Sequence, residues 1–116
     1  MFIESYPDDL ELLSFFESEP TLADHLDRHF AYEFTDKNGI HLVFSFNALE
    51  GWIQTILEFN GNKIAGYLSE GVSKFTIKED VNSEYLYAEI LFNDIETKVE
   101  VRIKPFISIR WGSLTI

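Results

Sequence analysis

His25 and His29 stand four residues apart, the first spacing in this chain that suits chemistry. On a helix the two imidazoles would share one face, as metal ligands do. Asp24 and Asp27 lie beside them, and His41 is the third histidine. Leu26, however, stands where the HExxH arrangement carries its glutamate, and no third ligand is evident beyond His41. Solvated histidines on an acidic segment explain the pattern better than a metal site, so no metal is expected. Carboxylate pairs are the next candidates: Asp8/Asp9, Glu17/Glu19 and Glu79/Asp80. Acid–base cleavage of a glycosidic bond needs two carboxylates fixed across a cleft. These acids fall in turns and at helix ends, where charge is ordinarily solvated. The chain contains no G-x-S-x-G, phosphate-binding loop or dinucleotide fingerprint. With no cysteine, disulfides, thiolate metal sites and a cysteine nucleophile are excluded together. The expectation is a non-enzyme without a cofactor.

What remains distinctive is charge. Residues 1–30 carry eight carboxylates against one arginine, a net of −7, while the whole chain carries −11. Such a field repels phosphate at long range, so neither nucleic acid nor an anionic membrane is an expected partner. No run approaches the length of a membrane-spanning helix. Met1-Phe2-Ile3-Glu4 lacks the basic and apolar regions of a signal peptide, so a cytoplasmic protein is expected. At 116 residues and 46% hydrophobic content, a single domain with a real core is expected. Within it, residues 1–29 form a helical segment and 30–116 a sheet.

The elements that position these residues are mostly strands. Residues 8–17 read as a short helix capped by Asp8 or Asp9, with Leu12, Leu13 and Phe16 on its apolar stripe and Leu10 and Phe15 widening it. Thr21 and Asp24 have capping-box spacing, which predicts one or two helical turns over 22–28. From Phe30 the period becomes two. Strands are expected at 30–35, 40–46, 52–59, 63–69, 72–78, 84–93, 95–104 and 106–111, joined by turns such as Asp36-Lys37-Asn38-Gly39 and Asn60-Gly61-Asn62. Strands 52–59 and 84–93 are apolar on both sides and should be covered on both faces. Val99, Val101 and Ile103 alternate with Lys98, Glu100, Arg102 and Lys104; a hairpin centred on Pro105 sets Glu100 opposite Arg110. The fold class is mainly β (α+β): an antiparallel meander of about eight strands, as a bent sheet, sandwich or half-barrel, with one N-terminal α-helix.

Three stretches carry a resemblance: Glu17–Pro20 (ESEP) after the helix, the Phe30–Phe46 hairpin around its DxNGI turn, and the closing Ile103–Leu114 (IKPFISIRWGSL). The chain resembles the small acidic immunity proteins of bacterial polymorphic and contact-dependent toxin systems. The resemblance implies binding to a cognate toxin in the cytoplasm, with its active site or an essential surface blocked. Many such toxins are cationic nucleases, so the implied partner is basic. On the residues themselves, the candidate partner-binding set is Asp8, Asp9, Glu11, Glu17, Glu19, Asp24, Asp27 and Tyr6. Two other readings compete: a structural β-module pairing through a sheet edge, and a small-ligand-binding β-protein built around a polar cavity. The expected oligomeric state is a monomer or a weak homodimer.

Overall fold

Of the two caps the sequence offers, Asp8 is the one that starts the helix. Its carboxylate accepts the Glu11 N–H at 2.8 Å, and the Glu11 carboxylate accepts the Asp8 N–H at 3.0 Å. This reciprocal pair satisfies two of the amide donors that a helix start leaves without partners. The computed structural model describes residues 2–115. Helix α1 spans Asp9–Phe16 and buries Leu12, Phe15 and Phe16. Phe16 stacks on Tyr32 with ring centroids 4.9 Å apart and lies 5.9 Å from Phe44, which fixes the helix over the sheet. Among the described residues no helix is long and apolar enough to cross a membrane.

The strands are β1 (Leu22–Asp24), β2 (His29–Thr35), β3 (Ile40–Asn47), β4 (Trp52–Phe59), β5 (Asn62–Ser69), β6 (Thr76–Glu79), β7 (Glu84–Phe92), β8 (Ile95–Arg102) and β9 (Ser108–Thr115). They form two open antiparallel meanders, β1-β2-β3-β4-β5 and β6-β7-β8-β9. Phe44 and Ile53 of the first sheet meet Leu86, Val99 and Val101 of the second across the core. Phe75 enters the same core and closes an aromatic cluster with Phe44 and Phe46.

Several expectations require correction. Residues 22–24 are a strand, paired Leu22 with Ala31 and Asp24 with His29. Asp24 does cap backbone, taking the Leu26 and Asp27 N–H groups at 3.1 Å each. The segment it caps is a turn, because ladder bonds to β2 already occupy the preceding residues. The strand expected at 72–78 begins only at Thr76. Before it, Gly71 at φ +73° redirects the chain, Val72 and Phe75 drop into the core, and their N–H groups bond to Gly51 and Ser5. This crossing divides one meander into two sheets. The strand expected at 106–111 runs over Ser108–Thr115. Full cover of β4 and β7 is not found either: Leu91 is 63% exposed and Phe59 is also exposed.

The terminal hairpin has the expected register, with Glu100 opposite Arg110. The Glu100 carboxylate nevertheless pairs along its own strand, accepting Arg102 Nε at 2.9 Å. Arg102 also donates to Asp80 at 2.6 and 3.0 Å and lies over the Tyr85 ring at 4.3 Å. These partners hold the Asp80 carboxyl well below the usual range, with the Arg102 hydrogen bonds as the largest cause.

Candidate protein-binding surface

The chain immediately before α1 places Tyr6 against Phe46 (5.3 Å) and Phe75 (6.1 Å), half-buried. Asp8 and Asp9 follow at the helix start, with Leu10 turned to solvent and 75% exposed. Across from them stands the β1–β2 turn, held by the Asp24 carboxylate and closed by Arg28 at φ +50°. Within that turn His25 meets Phe30 edge-on at 5.3 Å. Between these walls lies a groove of about 580 Å³, lined by Tyr6, Asp8, Asp9, Leu10, His25, Phe30 and Phe46. Its floor is aromatic and its helix wall is acidic. Leu26, beside it on the turn, is 91% exposed.

The candidate residues divide by what they touch. Tyr6, Asp8 and Asp9 come together in the groove, and Asp24 and Asp27 belong to the turn that supplies His25. Asp8, Glu11 and Asp24 accept hydrogen bonds from nearby backbone N–H groups. Glu17 does not join the groove: at the left-handed end of α1 it forms an ion pair with Lys104. Glu19 and Asp27 are exposed. Buried Tyr32 has its hydroxyl pushed up to about 12, by burial first and then by the negative charges of Asp9 and Glu19.

The histidines do not share a helical face. His25 is in the turn against Phe30, while His29 is on β2 against Trp52 at 5.2 Å. Among the described residues, no three His, Asp or Glu side chains gather into a group able to hold a metal ion.

A polar chain on the outer face of the first sheet had no counterpart in the sequence reading. Thr35 Oγ1 lies 2.7 Å from His41 Nδ1, and His41 Nε2 lies 2.7 Å from Glu33 Oε1. The His41 hydrogen bond, followed by one from Thr21, holds the Glu33 carboxyl below its ordinary range. The order of groups is that of a hydrolytic triad. The three lie on an open sheet surface, however, where water screens developing charge. Their clear effect is to lock His41 in place. The available signal was symmetry: Thr35 and His41 flank the Asp36–Gly39 turn and therefore pair across the hairpin.

No family model matches the chain, and no curated protein matches it. The fold is similar to a chain of a solved complex, the contact-dependent growth inhibition toxin–immunity protein complex from Klebsiella pneumoniae 342. The likeness has a TM-score of 0.94 at 42% sequence identity and covers 98% of this chain and 100% of that one. Identity of that order over the full length of both chains carries family membership: the chain belongs to the immunity proteins of contact-dependent growth inhibition systems.

Proposed function

We propose that this immunity protein is a non-catalytic cytoplasmic inhibitor. It binds a basic toxin domain of the nuclease type and covers its active site or an essential surface. The observation that carries this reading is the groove: acidic residues Asp8 and Asp9 beside an aromatic floor of Tyr6, Phe30 and Phe46. A domain that acts on nucleic acid presents cations to phosphate. Carboxylates placed against those cations compete for the same contacts and speed encounter. Exposed Leu10 and Leu26 beside the acids supply apolar area that desolvates on contact.

The test uses the cognate toxin domain, sought in the genes that neighbour this chain's own. Asp9→Lys combined with Asp27→Lys, with the fold checked by circular dichroism, should weaken binding by about tenfold or more. Unchanged affinity would remove the groove from the interface. Absence of binding by the unaltered chain would remove the inhibitor reading itself.

A further inference from the structure

The two sheets differ on their outer faces. The second sheet balances its charges internally: Arg102 pairs with Asp80 and Glu100, Lys98 with Glu96, and Lys78 sits over the Tyr87 ring at 4.1 Å. The first sheet does not. Ladder register and alternation place Asp24, Glu33 and Glu58 on its outer face against one lysine, Lys63, at the β5 edge.

The middle of that face is neutral apart from Glu33 at the β2 end of its row. One cross-strand row runs Leu22, Ala31, Ser45, Gln54 and Leu68; the next runs Glu33, Val43, Ile56 and Gly66. At one end His29 and Trp52 meet edge to face, and Trp52 donates its indole N–H to Glu50 at 3.2 Å. At the other end the Thr35–His41–Glu33 chain holds its side chains rigid. An uncharged centre, a polar rim and a tryptophan anchor are the anatomy of a protein interface.

We infer that this outer face is the platform on which the basic toxin domain seats, an inference that rests on the inhibitor reading above. Charge selects the occupant. A second copy of the chain brings another −11, and nucleic acid brings phosphate, so both are repelled. A cationic protein surface is attracted to the acidic rim. Continuity adds a second argument: Asp24 lies opposite His29 on this face, and the turn it caps carries His25 into the groove. One partner straddling that turn covers both surfaces.

The experiment measures binding of that cognate toxin domain to three folded proteins: the unaltered chain, Ile56→Arg at the centre of the face, and the Asp9→Lys/Asp27→Lys groove variant. Ile56→Arg should lose roughly thirtyfold or more in affinity, the effect of introducing a charge at an interface centre. Gln54→Arg, a neighbour whose side chain is already polar, replaces it if Ile56→Arg melts early. Full affinity in a folded face variant, with weakened binding in the groove variant, overturns the platform and leaves the inhibitor reading standing. No binding by the unaltered chain defeats that reading instead. Sedimentation that shows a dimer dissociated by the face variant also overturns the platform, because the face then belongs to self-association.

Discussion

The Asp36 carboxylate on the β2–β3 turn accepts the backbone N–H of Ile107, just before β9, at 2.8 Å. Its other oxygen takes the N–H groups of Asn38 and Ile40 at 2.9 and 3.0 Å. One buried side chain thus shapes the hairpin turn of the first sheet and ties it to the second. Burial pushes the Asp36 carboxyl up, but the three N–H donors outweigh it and hold it below the ordinary aspartate range.

Asp36→Asn should therefore destabilise the fold by about 2 kcal/mol, since the amide presents an NH₂ where an acceptor is needed. The pH dependence follows from the sign of the shift. A depressed carboxyl releases its proton more readily folded than unfolded, so its contribution is present above the ordinary aspartate range. It is lost as pH falls through the folded value. Urea unfolding at neutral pH and near pH 3 checks this: the variant should lose less stability on acidification than the unaltered chain. Equal acid losses would show that Asp36 is not a source of that dependence.

Tyr32 reports the field of the N-terminal acids. Its hydroxyl is raised to about 12 by burial and then by Asp9 and Glu19. Because the folded value exceeds the unfolded one, the neutral form favours folding, and this stability is lost as pH rises from the unfolded value toward the folded one. Tyr87 is raised to a similar value, chiefly by its hydrogen bond to Glu89. Absorbance titration of tyrosinate should thus show late titration of Tyr32 and Tyr87. Asp9→Asn with Glu19→Gln should move one of them downward and leave the other in place. If neither moves, the acids do not act on Tyr32.

Gly71 is the pivot between the sheets. A Cβ added there would lie 2.3 Å from Phe92 Cδ1, on a backbone at φ +73°. Gly71→Ala combines left-handed strain with a steric clash and should cost about 3 kcal/mol. Removing the obstructing side chain separates the two effects. In a Phe92→Gly background, which also takes away the Phe92 Cβ at 2.7 Å, Gly71→Ala should cost only the strain, about 1–2 kcal/mol. Denaturant midpoints for the four proteins of this cycle measure the difference. A cost that stays the same in both backgrounds would exclude the clash with Phe92.

The parts legible in the sequence were those written in neighbouring residues. Asp8 and Asp9 announced the helix start, Asp36 to Gly39 announced a hairpin, and alternation on both sides of Pro105 set Glu100 opposite Arg110. The misses were non-local. Asp24 caps backbone equally well in a turn and in a helix, and only pairing with β2 decides which. Likewise, nothing near Gly71 states that Val72 and Phe75 leave the ladder for a core assembled from distant strands. The candidate surface divides the same way. Composition pointed to acidic residues, but Glu17 went to Lys104, 87 positions away, while Leu10 and His25 entered the groove from two different walls.

Steering makes a final prediction, kinetic in form. Carboxylates at an interface rim act mainly on the encounter rate, whereas buried contacts act on dissociation. Asp9 and Asp27 are exposed and flank the groove, so they belong to the first kind. Neutralising both, as Asp9→Asn with Asp27→Asn, should slow association with the toxin domain by about tenfold at low salt. The dissociation rate should change little. Added salt should slow the unaltered chain more than the variant, because screening erases an attraction the variant already lacks. Stopped-flow association at several ionic strengths gives both slopes. Parallel slopes would mean that these acids do not guide the partner, whatever else holds it in the complex.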